Sequence, residues 1–316
     1  MTEQLRELLP LLYVEGLSTR DFKRALGPSL GEAGLSKSAV SRLCGRLKEE
    51  FAVWRARSLA DEEVVYLFLD GFYLGLRQNS KEKEGVLVAH GIRADGSRVL
   101  LAVALGYRES TASWKDFLDD LVRRGLRAPK LVVCDGNAGL LRAVGETWSQ
   151  TAVQRCIAHR MRNILAKVPK KLQEAVKREL RTIFYAANEA EAREMAGRFE
   201  GKWGSELPSA TRCLMSTLDT TLTFYRFPAE HWRRLRTSNI LERSFKEVRR
   251  RTNVAGRYPT EEAGLTMVWA TLVEGTSKWR GVPMDGPTLR LVEQAAQEMP
   301  RICWAVNALV EERLAA

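Results

Sequence analysis

The chain has 316 residues, 45% hydrophobic and 28% charged, an ordinary balance for a globular protein and enough chain for two or three domains. No run of 18 apolar residues occurs, and the opening MTEQLRELLP lacks a signal peptide's apolar centre, so neither a membrane span nor secretion is expected. The five cysteines (44, 134, 156, 213, 303) are scattered in apolar settings, which argues for reduced thiols and a cytosolic home over a disulfide framework.

The net charge of +11 is concentrated. Arg155 to Ile183 and Arg226 to Arg257 each net +7, so the remainder nets −3. Cations gathered in two blocks are the footprint of a nucleic-acid binder, although solvated helix faces also carry Lys and Arg.

Residues 1–60 read as helical. Ser18 or Thr19 is placed to cap one helix and Ser36 a second, with Gly27 to Gly34 between them. This pair is either a helix-turn-helix with a long connector or a plain helical hairpin. Val64 to Asp70, VVYLFLD, then reads as a strand buried on both faces that ends in an acid and is followed by Gly71. A carboxylate at the edge of such a strand is costly unless a metal ion, an arginine or solvent meets it. Gly85 to Ile92 and Arg98 to Ala104 form a hairpin across the turn Ala94-Asp95-Gly96-Ser97.

Ser110 to Arg124 is helical, with Trp114, Phe117, Leu118, Leu121 and Val122 on its apolar face. Pro129 to Asp135, PKLVVCD, repeats the earlier pattern of apolar strand, Asp and Gly. The two junctions admit two readings: ordinary Asp-Gly turns, or two carboxylates presented at one sheet. A helix (Asn137 to Trp148) and a short strand (Ala152 to Cys156) follow. The order β-β-β-α-β-α-β is that of a ribonuclease-H-like fold, in which the first and fourth strands are neighbours. Asp70 and Asp135 would then meet at one end of the sheet.

From Ile157 to about Glu230 the pattern is helical throughout, an all-α insertion before the third candidate acid. Trp203 and Trp232 are read as core. Thr237-Ser238-Asn239 starts a helix, Ile240 to Arg251, that carries Glu242 and a dense cationic face. Glu242 is either the acidic half of a capping box from Asn239 or a third metal ligand. Helices from Glu261 to Trp279 and Thr288 to Arg313 close the chain. The expected domains are a helical region (1–60), a sheet core (61–156 with 231–280), the all-α insertion (157–230) and a C-terminal helix (281–316). Cys156 and His159 have half a zinc site's spacing, with no second paired motif to complete it.

Four ordered blocks resemble the Mutator-type transposases of bacterial insertion sequences, DDE enzymes with a ribonuclease-H-like core. They are FLDGFYLGLR (68–77), LVVCDGNAGLLRAV (131–144), QRCIAHRMRNIL (154–165) and HWRRLRTSNILERSFKEVRRRTNVAGRYPT (231–260). The resemblance implies a catalytic triad of Asp70, Asp135 and Glu242 holding two Mg²⁺ or Mn²⁺ ions, Asp70 bridging both, with the C-x-x-H residues Cys156 and His159 close by. His159 is expected to contact the scissile phosphate or steady a carboxylate. Arg77, Arg155, Arg160, Arg162, Asn163, Arg243, Lys246, Arg249, Arg250 and Arg251 are the expected DNA-backbone contacts.

The implied activity is phosphodiester cleavage and strand transfer on double-stranded DNA, in a cytoplasmic, nucleoid-associated dimer or larger synaptic complex. Three departures stand out. Ser238 replaces the second Thr of a Thr-Thr-Asn motif, Gly75 replaces a Lys, and the N-terminal helical region is shorter than the family's. The rival readings are a truncated, non-catalytic DNA-binding repressor and a metal-dependent nuclease of the same fold.

Overall fold

The computed structural model describes residues 37–75, 84–106, 110–255, 258, 260–276 and 279–298. The first helix of the expected N-terminal pair, its glycine-rich connector and the residues beyond 298 lie outside that set, as does Arg77, whereas the second helix of the pair is described. Helix α1 (Lys37–Ala56) leads into β1 (Val64–Leu74), β2 (Glu84–Arg93) and β3 (Arg98–Gly106). Then come α2 (Thr111–Arg123), β4 (Leu131–Cys134), α3 (Ala138–Thr147) and β5 (Ala152–Arg155).

The five strands form one mixed sheet in the order β3-β2-β1-β4-β5. The first three pair antiparallel, while β4 lies parallel to both β1 and β5. The β2–β3 turn is held as its composition predicts. The Asp95 carboxylate accepts from the Ser97 amide at 2.8 Å and hydroxyl at 2.6 Å, and Gly96 takes the left-handed φ of 80°.

β1 runs through the middle of the sheet, so both its faces are covered. Side chains alternate along a strand. Leu67 and Leu69 face the core made with α2 and α3, where Trp114, Phe117, Leu118 and Leu121 insert. Val122, expected on that face, is 43% exposed because its neighbour Leu121 takes the inward position. Ser110 caps α2 through the Ser113 amide, and Asn137 caps α3 through two amides.

Tyr66, Phe68 and Phe72 face the other way, into a core shared with the helices that follow β5. These are α4 (Ile157–Leu165), α5 (Gln173–Phe184), α6 (Glu189–Trp203), α7 (Pro208–Met215), α8 (Leu218–Thr221) and α9 (Trp232–Leu235). Trp203 and Trp232 pack in or against this core, their indole N–H groups bonded to Glu179 and the Phe227 carbonyl.

Gln154, buried in β5, ties sheet to helices. Its amide donates to the carbonyls of Arg155 (2.6 Å) and Thr221 (2.8 Å), and its oxygen accepts from the Phe224 amide at 2.8 Å. The Tyr66 hydroxyl donates to His231 Nδ1 at 2.8 Å while His231 Nε2 donates to the Pro283 carbonyl at 2.7 Å, which fixes the tautomer of that buried ring.

The helical block leaves and re-enters the sheet region at one neck. The Ile157 amide donates to the Arg236 carbonyl at 2.9 Å, and the Ser238 amide to Cys156 Sγ at 3.3 Å. Beyond the neck lie α10 (Asn239–Ala255), α11 (Glu261–Thr276) and α12 (Gly286–Gln297). The last is described from Gly286 to Gln297, and the rest of the predicted span to Arg313 lies outside the described residues. Among the described residues no helix is long and apolar enough to cross a membrane.

Candidate active site

β1 and β4 pair with Tyr66 opposite Leu131 and Phe68 opposite Val133. Two residues further along that register stand Asp70 on β1 and Asp135 just past the end of β4. The chain turns away after Asp135 at Gly136, whose φ is 86°. A Cβ there would approach Arg155 Nη1 to 2.7 Å, so a side chain at this position is disfavoured on two counts. Asp135 Oδ1 accepts from the Asn137 amide at 2.9 Å.

Asp70 is 4% exposed. One carboxylate oxygen accepts from the Gly71 amide at 2.9 Å; the other, Oδ2, is buried without a hydrogen-bond partner. Burial, and then the nearby charge of Asp135, push its pKa well above the usual carboxylate range; the Ser238 hydroxyl pulls it down and Glu242 adds a smaller upward push. These influences place Asp135, Ser238 and, more weakly, Glu242 in the neighbourhood of Asp70.

α10 brings in Glu242. Phe245 stacks on Phe72 with ring centroids 4.1 Å apart, and Leu241 and Val248 are buried beside it. Such spacing leaves Glu242 on the flank of the helix nearest the strand ends. Its carboxylate forms an ion pair with Arg162 and lies 3.5 Å from His159 Nε2. Burial is the main influence on His159 and lowers its pKa, with Arg162 acting the same way against Asp135 and Glu242, which favours the neutral ring at neutral pH.

Cys156 is fully buried, its thiol pKa raised by that burial, and its sulfur accepts from both the Ser238 amide and hydroxyl. It is a packing and positioning group at the neck. Among the described residues no group of three or more His, Cys, Asp or Glu is gathered to hold a metal ion. Asp70 and Asp135 are adjacent, while Glu242 is turned to Arg162.

The expected DNA contacts divide. Arg162 and Asn163 on α4, and Arg243, Lys246, Arg249 and Arg250 on α10, are exposed, Arg250 with an ion pair to Glu247. Arg155 and Arg160 are not at the surface. Arg155 ends β5 beneath Gly136, and Arg160 takes the inward face of α4 and donates to the Cys213 carbonyl at 3.1 Å. Arg251 is also buried, paired with Glu247 and Glu274. Sequence density alone does not separate these three from their exposed neighbours.

Ser238 joins the site without being among the expected site residues. Its signal was its place four residues before Glu242, in the motif where it departs from the Thr-Thr-Asn pattern.

A mixed sheet that sets two acids side by side, with a third delivered by a cationic helix, fits the class of proteins that process nucleic-acid backbones. Residues 1–281 match the family described as "Transposase, Mutator family", and the chain belongs to that family. It is 40% identical over 279 residues to the transposase for insertion sequence element IS6120 of Mycolicibacterium smegmatis, covering 88% of this chain and 86% of that one. It is 39% identical over 269 residues to the transposase for ISRM5 of Rhizobium meliloti, covering 85% and 67%. A solved structure, the Drosophila P element transposase strand transfer complex, aligns over 99% of both chains at 12% identity with a TM-score of 0.31, too low to carry an argument.

Proposed function

We propose that this transposase cuts and joins DNA through a DDE triad of Asp70, Asp135 and Glu242, set in a ribonuclease-H-like sheet with residues 157–230 as its all-α insertion. The observation that carries the reading is the unpartnered Oδ2 of the buried Asp70 beside Asp135. A buried carboxylate oxygen without a donor is expensive, and a hard divalent cation would relieve it. The donor set is all oxygen, which fits Mg²⁺ or Mn²⁺. Asp70 and Asp135 would hold one ion together and Glu242 would complete a second site. Two such ions would activate the attacking oxygen and stabilise the leaving one.

The chain's own residues supply the rest. Glu242 parts from Arg162 to join the two aspartates, which frees the Arg162 guanidinium for a phosphate. His159, neutral and within 3.5 Å of Glu242, steadies that carboxylate in its new position. The Ser238 hydroxyl, turned from Cys156 Sγ toward Asp70, opposes the burial that favours the protonated carboxyl. Arg162, Asn163, Arg243, Lys246, Arg249 and Arg250 grip duplex phosphates, a contact that weakens with salt. The protein works in the bacterial cytoplasm as a dimer or larger synaptic complex on element ends and target.

The test is in vitro cleavage and joining of a plasmid carrying the chain's own gene and flanking ends, with Mg²⁺. Glu242→Gln should lose both cleavage and joining while still binding the DNA. Equal loss of binding would make Glu242 structural, and cutting without joined products would make the protein a nuclease. A wild-type chain that binds and neither cuts nor joins would be a repressor.

A further inference from the structure

A recess of about 450 Å³ has a wall that carries five arginines, Arg98, Arg233, Arg234, Arg236 and Arg243, together with Tyr185. That volume is within the range of sites that enclose a ligand. No carboxylate lines it, and among the described residues none of the five arginines forms an ion pair. Burial, reinforced by the charge of Arg234, lowers Arg98 to about 10. Cations crowded in this way, with no anion among them, are a binding site for one.

The wall has a second chemistry. Tyr185, at the end of α5, is 56% exposed although it is a large ring. The Arg236 guanidinium lies 4.7 Å from its centroid and also 5.3 Å from that of Phe224, so the cation is held as a spacer between two rings and the rest of Tyr185 faces solvent. The recess shares chain neighbours with the proposed active site. Thr237 lines it and precedes Ser238, Arg243 follows Glu242, and the Arg98 guanidinium reaches to 5.5 Å from the ring of Phe68, two residues before Asp70.

We propose that this recess takes a single strand of DNA leaving the active site, its phosphates on Arg233 and Arg234 and one unstacked base against Tyr185. Concavity favours one strand over two. The phosphates of a duplex lie on a convex cylinder and suit the outward row of Lys246, Arg249 and Arg250, whereas a recess of this size admits one nucleotide with its flanking phosphates. An aromatic ring at the rim adds a contact that only an unpaired base can use. The proposal rests on the DNA-processing reading above and adds a strand-specific site to it.

The experiment is fluorescence anisotropy on the full chain with three probes: a labelled dT12 strand, a labelled 12-base-pair duplex, and unlabelled pyrophosphate as competitor. Tyr185→Ala should weaken dT12 binding about tenfold and leave the duplex unchanged, with Tyr185→Phe restoring it. The double variant Arg233→Ala/Arg234→Ala should lower the salt slope for dT12 by about 1.4, two single-strand phosphate contacts. Pyrophosphate should displace dT12 from the wild type.

Loss of duplex and dT12 binding in parallel in Tyr185→Ala would overturn the proposal. So would dT12 binding indifferent to Tyr185, which would leave a plain anion site. Glu242→Gln should bind dT12 as the wild type does, so a failure of catalysis and a failure of this site are read separately.

Discussion

Replacing Asp70 by Asn should make the metal-free protein more stable and catalytically dead. The side chain is 4% exposed, with one oxygen unpartnered and Asp135 beside it. Its folded pKa is raised above the unfolded value of about 4. The folded state therefore binds the proton more tightly than the unfolded one. The stabilisation from that proton is complete below the unfolded pKa and is lost as pH rises through the folded value. Above the folded value the protein carries a buried charge it would be better without.

Asn keeps the acceptor for the Gly71 amide and removes the charge. A buried polar group without a partner costs on the order of 1–3 kcal/mol. Taking about 2 kcal/mol, and about 2 °C per kcal/mol for a chain of this size, the variant should melt about 4 °C higher at pH 7.5. The gap should shrink at pH 5. Thermal melts of both proteins at the two pH values, each with and without Mg²⁺, make the measurement. Added Mg²⁺ should raise the melting temperature of the wild type and leave the variant unmoved. An Asn variant that melts lower than the wild type at pH 7.5, or a gap that does not change with pH, would refute the account of Asp70.

Gln154→Leu removes three buried hydrogen bonds, two of them between β5 and the helices, and should cost about 2–4 kcal/mol, read by urea unfolding. Arg162→Ala should change stability by less than about 1 kcal/mol because the pair is exposed, yet it should tighten Mn²⁺ binding to the DNA-free protein by releasing Glu242, read by calorimetric titration. Lys246→Ala and Arg249→Ala should each lower the salt slope of duplex binding by about 0.9 at unchanged melting temperature. Gly136→Ala should lose about 1–2 kcal/mol of stability, from the left-handed backbone and the approach to Arg155, seen in thermal melts.

Much of the site was legible because its parts are local. An apolar run ending in Asp-Gly announces a buried strand and a carboxylate at its edge, and β1 and β4 both follow that rule. Their adjacency came from element order, since three antiparallel strands followed by helical crossovers leave few topologies. The β2–β3 turn and the cap of α2 were written in Asp95, Gly96 and Ser110.

What stayed hidden depended on distant partners. Arg155 and Arg160 look like Arg162 in the sequence, but helix phase and the end of β5 send the first two inward, where long apolar stems pack and the heads find carbonyls. The arginine recess is assembled from β3, the end of α5 and residues 233–243, so no single window reveals it. The ion pair of Glu242 with Arg162 joins residues 80 apart and has no local signature.

The neck at Cys156-Ile157 and Arg236-Ser238 bears on how such a chain can change length. Because the two ends of the helical excursion are hydrogen-bonded to each other, the span between Asp135 and Glu242 is set by the neck and not by the number of residues beyond it. Doubling a closed excursion costs only about 0.6 kcal/mol in closure entropy. Helices could be added or trimmed at its far end with the acids left in place, so long as the buried face against Gln154 is kept. The fold thus separates a part free to diversify from a part that must hold still, with the neck and the buried face against Gln154 between them.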